Sequence, residues 1–572
     1  MRKVLALLLS VVMTLTLLVS SAWADEPKPL DGKTVILHTN DVHGSIELYA
    51  KVAAMKGDYE AQGAQVILAD AGDYSQGTVY VSVNKGKDAV TMMNAAGYDV
   101  ATIGNHEFDY GYAQLKTNLE SAKFEVVCAN VLQDGSPVFD AYTKISKGGV
   151  QVAFVGLETP EAQTKANPAL IQGLTFLAGD EMYAAVQTQV DAARTAGADI
   201  VIVLAHLGVD SSSEPNTSYD LYNKVNGIDF IIDGHSHTVM TKGPEDEPIQ
   251  STGTALNNIG VITIDNATKK IESSELIQSI DYTDKKAAVE AAAYEIIERI
   301  EQEYGAVFAK TEVDLNGAKA PGNRTEETNL GDLITDAMMW AIKTKAPGVD
   351  MNNAVAITNG GGIRAAIAKG DITKKDVNTV LPFGNTLAVV YVKGSELLEA
   401  LEVSTYCTPK SLGGFPQFAG MEVELNTACE YDANDTTYPG STYFGPKSIN
   451  RITIKTVNGK AFDKDATYAV ITNDFLAAGG DTYYAFAAAQ TQFDTGLPLD
   501  EILMEYITLE LNGVVTDKYA APQGRLTIVN DPPVPGQPGS PATGDTGVVI
   551  YMGLAILALT GGAFVARKKE RF

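Results

Sequence analysis

The sequence predicts an α/β protein of two folded halves, and three observations carry that prediction. From residue 33 onward, short apolar runs rich in β-formers alternate with stretches of helical spacing, as in a layered α/β domain. Five of those runs end alike, in carboxylate, amide or imidazole side chains. An Ala/Glu-rich stretch, "KKAAVEAAAYEIIERIEQEY" at residues 285–304, contains no Gly or Pro and divides a half with histidines from a half without any. At 572 residues the chain is too long for one core. A formal net charge of −28 repels polyanions, which makes a nucleic-acid polymer an unfavourable partner.

The first element is an address. Residues 1–24 combine a basic start, an apolar stretch and a small-residue exit at Ala22, Trp23 and Ala24, the pattern of a secretory signal peptide. Mature protein then begins near Asp25; a retained membrane anchor is the competing reading.

Residues 25–283 form the first folded half. Its apolar runs lead in turn to Asp41 and His43, to Asp73, to Asn105 and His106, to His206, and to His235 and His237. Strands of one sheet bring their carboxyl ends to one edge, so these side chains are expected to converge. The chain has six histidines, at 38, 43, 106, 206, 235 and 237, and five stand at these strand ends. A single histidine there reads as a hydrogen-bonded structural imidazole; five mixed with Asp and Asn read as ligands. Imidazole, carboxylate and amide without cysteine suit a borderline or hard divalent cation such as zinc or manganese. Asp41, His43, Asp73, Asn105, His206, His235 and His237 make seven ligands, too many for one tetrahedral ion. They suit two ions sharing Asp73. A pair of ions roughly 3.5–4 Å apart lowers the pKa of a water between them and stabilises the oxygens of an in-line displacement at phosphorus.

A linker helix is expected over residues 284–310, and the second half over 311–529. It carries Gly-rich turns beside arginines and aromatics: "NRTEETNLGDLITDAM", "ITNGGGIRA", "VLPFGNTLAVV", "FPQFAGMEVELN" and "TNDFLAAGGDTYY". Singly, each reads equally as a tight turn or as core, and Arg324 and Arg364 read equally as surface ion-pair residues. Three cysteines cannot support an exported chain of this size by disulfides; Cys407 and Cys429 are a candidate pair, and Cys128 reads as a buried thiol.

The chain ends in a second address. Residues 530–543 are a Pro/Gly-rich linker, 548–566 an uncharged apolar run just long enough to cross a bilayer, and 567–572 a basic tail. With "SPATG" at 540–544 this resembles the sorting signals that sortases of Gram-positive bacteria cleave when joining a protein to the cell wall. The departure is Ser540 where the common pattern has Leu. A permanently retained membrane helix is the alternative, and either places the protein at the cell surface.

The blocks "LHTNDVHG", "DAGDYSQG", "GNHEFDYG", "LAHLG" and "DGHSHT" resemble, in order and spacing, those of calcineurin-like metallophosphoesterases, most closely the 5′-nucleotidases. The resemblance implies a four-layer α/β/β/α sandwich in the first half. It implies that Asp41, His43, Asp73 and His237 hold one metal and Asp73, Asn105, His206 and His235 the other. His106 is then a catalytic imidazole beside the phosphate, oriented by Asp109; Glu107 reads as a solvated or capping residue. The five later blocks together resemble the 5′-nucleotidase C-terminal domain, an α/β substrate-binding unit. That implies substrate contacts from Arg324, Asn359 and Arg364, a base held between Phe383 and Phe475, and ribose hydroxyls bonded to Asp481. Departures are Asp332 where many relatives carry Asn, and Asn385 where a second Gly is frequent. The implied function is removal of phosphate from nucleoside 5′-monophosphates, with a domain rotation bringing the two halves together. Hydrolysis of 2′,3′-cyclic nucleotides, 3′-nucleotides or nucleotide-diphosphate sugars is the alternative within the family, and a non-catalytic surface adhesin is the alternative outside it.

Overall fold

The computed structural model describes residues 28–210, 213–346, 348–489 and 491–531. The expected signal peptide, sorting motif, apolar run and basic tail lie outside them. Among the described residues no helix is long and apolar enough to cross a membrane.

Two six-stranded sheets build the first half. One contains the parallel strands Lys33–Thr39, Gln65–Asp70, Val100–Ala101 and Glu125–Val126, with Asn258–Asp265 and Lys270–Gln278 antiparallel at its edge. The other contains the parallel strands Val150–Glu158, Ile200–His206, Phe230–Asp233 and Ile249–Thr252. The sheets stack face to face, and helices cover both outer faces. In the strand Ile200–His206, Ile200, Ile202 and Leu204 pack between the sheets, while Val201, Val203 and Ala205 pack under helix Gly179–Thr195. Both faces are buried, which is why these runs are continuously apolar rather than alternating. The expected four-layer sandwich is therefore present.

The second half is built on a five-stranded sheet in the order Pro416–Ala419, Ala354–Asn359, Thr467–Asn473, Thr386–Lys393, Thr491–Pro498. Helices Asn329–Lys345 and Leu499–Glu505 cover one face through Ala356, Val389 and Ile471, and helix Gly394–Val403 covers the other through Val355, Val390 and Val470. Cys128, Cys407 and Cys429 are free thiols, so the candidate Cys407–Cys429 bridge is not formed.

Helix Ala287–Tyr304 does more than connect. Val289, Ala293, Ile296 and Ile300 recur at helical spacing and belong to the first half's core, beside Val52, Met55, Val90 and Met93. The next strand, Val307–Thr311, already belongs to the second half, so the chain passes between halves at Gly305 and Ala306. Ile300 is 1% exposed, and replacing it with Ala should cost about 2–5 kcal/mol. Urea unfolding followed by circular dichroism measures this; a loss below about 0.5 kcal/mol would mean that the helix is only a tether.

Candidate functional site

The carboxyl ends of the parallel strands in both sheets meet at one edge, and the expected ligands meet there with them. Three groups of potential ligand atoms each lie within 4.8 Å of one another: Asp41, His43 and His237; Asp73, His206 and His235; and His43, Asp73 and His106. Asp73 Oδ2 is 3.0 Å from His206 Nε2 and 3.9 Å from His43 Nε2, so it faces both sides of the cluster. Asn105, 3% exposed, completes the set.

The donor chemistry fits cations. His43 Nδ1 lies 2.9 Å from the Gln76 carbonyl and His206 Nδ1 lies 2.7 Å from the Ala71 carbonyl. A carbonyl only accepts, so Nδ1 carries the proton in both rings and each Nε2 is left to ligate. Those Nε2 atoms face His237 Nε2 at 3.0 Å and the Asp73 carboxylate. Among the described residues Asn105 Oδ1 is buried without a hydrogen-bond partner, and His206 Nε2 has only the Asp73 carboxylate against it. Acceptors gathered against acceptors need positive charge between them, which is what a divalent cation supplies. Burial lowers the pKa of His43 to about 3, which keeps its ring in the neutral, ligating form.

The loops that bear these side chains are strained. Asp41, His43, Asp73, His235 and His237 have φ of 49°, 48°, 62°, 75° and 55°, in the left-handed region that non-glycine residues rarely adopt. Such conformations persist only where surroundings impose them. Asp41 accepts the His235 amide at 3.0 Å, tying the ends of the two sheets together. Glu107 accepts backbone amides from Gly104, Asp73, Tyr74 and Ser75 at 2.6, 2.9, 3.0 and 2.9 Å. At 2% exposure it is a buried cap and not a solvated residue, because four N–H groups of two loops would otherwise lack acceptors. Gly104 allows the loops to meet: a Cβ there would sit 2.3 Å from Asp73 Oδ1. His38, the histidine away from the strand ends, bonds Gln250 in the core at 2.7 Å.

His106 stands at the cavity wall with its Nδ1 2.6 Å from Asp109 Oδ2. Burial disfavours its cationic form, but Asp109 and Asp73 outweigh that and raise its pKa.

One cavity of about 370 Å³ spans both halves. Asp73, Asn105 and His106 line one end, and Arg324, Asn359, Arg364, Phe383, Phe475 and Asp481 line the rest. The halves already share the cavity here, so in this conformation no rotation is needed to unite them. Phe383 stacks on His106 with ring centroids 5.9 Å apart, and the Arg364 guanidinium lies 5.6 Å from the Phe383 centroid. Asn359 Nδ2 donates to Asp481 Oδ2 at 2.8 Å. Arg324 and Arg364 are half-buried and, among the described residues, make no ion pair, which removes the surface ion-pair reading. Burial first, and then Arg364, lower the pKa of Arg324 to about 10. Asn385 bonds Asp474 at 2.8 Å at the cavity wall, whereas Asp332 accepts the Gln523 amide away from it.

A sixth strand, Val150–Glu158, ends at the same edge, and its apolar run is as readable in the sequence as the other five. It leads to Glu161, whose Oε2 is 3.4 Å from His235 Nε2, and to Lys165 in the cavity wall.

Comparison with known proteins agrees with this geometry. Residues 34–239 match the calcineurin-like phosphoesterase family and residues 307–488 the 5′-nucleotidase C-terminal domain. A solved 5′-nucleotidase precursor from Thermus thermophilus is 30% identical with a TM-score of 0.70, covering 87% of this chain and 100% of that one. The trifunctional nucleotide phosphoesterase protein YfkN of Bacillus subtilis is 30% identical over 88% of this chain, which spans 35% of its length. A snake venom 5′-nucleotidase from Crotalus adamanteus is 29% identical over 82% of this chain and 85% of that protein. Calcineurin-like metallophosphoesterases use a dimetal centre, and the cluster provides candidate residues for one. With both domains in place and the Thermus enzyme covered end to end, the chain belongs to the 5′-nucleotidase family and is a hydrolase of phosphoric monoesters.

Proposed function

We propose that the protein is a cell-surface 5′-nucleotidase that converts nucleoside 5′-monophosphates to nucleoside and inorganic phosphate. The observation that carries this reading is the shared cavity, with ligand-type side chains at one end and guanidinium, aromatic and carboxylate groups at the other. Asp41, His43, Asp73 and His237 would hold one divalent cation and Asp73, Asn105, His206 and His235 a second, of zinc or manganese type. Two such ions supply an activated water and polarise the phosphoryl group. His106, held by Asp109, places positive charge where negative charge develops on the phosphoryl oxygens. Arg324 and Arg364 receive the phosphate, for which a planar guanidinium offers paired donors. Phe383 and Phe475 bracket the base, and Asp481, steadied by Asn359, accepts from the ribose hydroxyls. Secretion, sortase processing and attachment to a Gram-positive cell wall or membrane are supported by the two terminal segments of the sequence.

Similarity to a trifunctional nucleotide phosphoesterase favours a second reading, in which several classes of nucleotide ester are turned over. Phosphate release from AMP, ADP, ATP, UDP-glucose and 2′,3′-cyclic AMP separates the two. AMP should be the preferred substrate, and equal turnover of the cyclic or diphosphate esters would favour the broader enzyme.

The roles of metal-holding and non-holding residues separate by mutation. His106→Ala should keep two metal ions per chain while AMP turnover falls about 10²- to 10⁴-fold; Asp73→Ala should lose metal and turnover together. Phosphate release paired with metal analysis reads both, and a fully active His106→Ala protein would end the proposed role. Glu107→Gln turns an amide donor toward backbone donors. Chelator competition should then show metal affinity weakened about 10- to 100-fold, and unaltered affinity would mean that the clamp does not position the ligands.

A further inference from the structure

Residues 164–167 of the first half reach across to the second and hold the segment that carries its nucleoside-facing groups. The Thr164 carbonyl accepts the Asp481 amide at 2.6 Å, Lys165 Nζ lies 3.4 Å from Asp481 Oδ1, and Asn167 Nδ2 donates to Asp474 Oδ2 at 2.8 Å. Asp474 and Asp481 flank Phe475 and Gly480 in the same short stretch. Lys165 Nζ also donates to the Tyr443 hydroxyl at 3.0 Å. Lys165, Tyr443 and Asp481 all line the cavity. The turn is tied to the other end of the cavity as well, since Glu161, 4.0 Å from Lys165, is 3.4 Å from His235.

The geometry around Asp481 is incomplete in a particular way. Its Oδ2 is taken by Asn359 at 2.8 Å, but among the described residues Oδ1 has only the long 3.4 Å approach of Lys165. An ammonium offers three donors, and Lys165 commits one of them at good distance, to Tyr443. Asp481 and Lys165 therefore present an under-used acceptor beside an under-used donor. Gly413 keeps the space next to them open: a Cβ there would sit 3.3 Å from Asp481 Oδ1 and 3.6 Å from Lys165 Nζ. A hydroxyl group, which donates once and accepts twice, matches such a pair; a methylene leaves both unsatisfied.

We propose that Lys165 is a specificity-determining residue for ribonucleosides, contributed by the phosphoesterase half: a ribose hydroxyl donates to Asp481 Oδ1 and accepts from Lys165 Nζ. This rests on Asp481 being the ribose acceptor of the proposed function. Discrimination between a ribonucleotide and a sugar lacking its hydroxyls then depends on a side chain outside the nucleoside-binding domain.

The test compares kcat/KM for AMP, 2′,3′-dideoxy-AMP and 4-nitrophenyl phosphate in the full-length zinc- or manganese-loaded enzyme, its Lys165→Met variant and its Lys165→Arg variant. Methionine keeps an unbranched stem of similar length and removes the donor. The preference for AMP over the dideoxy nucleotide should fall about tenfold in Lys165→Met and recover at least in part in Lys165→Arg. A preference that persists in Lys165→Met, or a loss by one common factor on all three substrates, overturns the proposal, the second by showing a structural role. A wild-type enzyme without any preference for AMP over the dideoxy nucleotide refutes the assignment of Asp481 itself and takes this inference with it.

Discussion

The four backbone N–H groups gathered by Glu107 come from two loops that leave neighbouring parallel strands, at a point where neither loop has a sheet partner left. Each bond to a charged acceptor contributes about 1.5–3 kcal/mol, and one residue held at positive φ costs about 1–3 kcal/mol. Burial pushes the Glu107 pKa up to about 7, so part of that gain offsets the cost of burying the carboxylate and the remainder opposes the strain at Asp73, the left-handed residue within that clamp. The outcome is positional. Asp73 and Asn105 are set by backbone hydrogen bonding before any ion arrives, and Asp41 does the same for His235 across the gap between the sheets. Ligands fixed in this way lose little freedom on binding a metal, which is the general advantage of preorganisation.

What the sequence disclosed follows from this arrangement. Each of the seven ligand-type residues stands at the end of an apolar run, and strand direction alone carries those ends to one edge, so the cluster was legible without knowledge of any contact. The residue pattern itself gave only a layered α/β domain, and the four-layer sandwich came from the resemblance of the blocks to a known family. Glu107 was not, because its neighbours in sequence are polar and nothing in "GNHEFDYG" says that its carboxylate turns inward under two loops. The role of helix Ala287–Tyr304 was half legible: its spacing showed an apolar face, but not which half would bury it. The strand end that leads to Lys165 was legible, but what Lys165 touches was not, because Tyr443 and Asp481 are 278 and 316 residues away along the chain. Local pattern cannot report a contact between domains.

Basic side chains gather in the cavity of an otherwise acidic chain, alongside Asp73, Asp109, Glu161, Asp210 and Asp481. The chain carries a formal charge of −28, yet Arg324, Arg364, Lys319 and Lys165 line the cavity. Burial, then Arg324 and Arg364, lower the pKa of Lys319, and burial, then Arg364, lower that of Arg324, the mark of cations crowded together. Arg324 and Arg364, half-buried and among the described residues without a carboxylate ion-pair partner, are most stable when an anion sits between them.

At the other end the imbalance is reversed, and this orders the events of binding. Asp41 and Asp73 are buried beside His43 and His237, whose rings burial keeps neutral, so a phosphate dianion brought against that side of the bare cluster would meet acceptors, while the carboxylates hold His206 and His106 toward their charged forms. Divalent cations in that cluster change the sign of the field at the cavity floor, after which phosphate is attracted from both sides, by the metal end and by the guanidinium end. Each half thus lacks what the other contact supplies: the first needs cations to tolerate the phosphate, and the second needs the phosphate to separate its own cations. A substrate whose anionic group lies at one end of a flat, hydroxylated body would satisfy both at once, which agrees with the nucleotide substrates of the 5′-nucleotidase family.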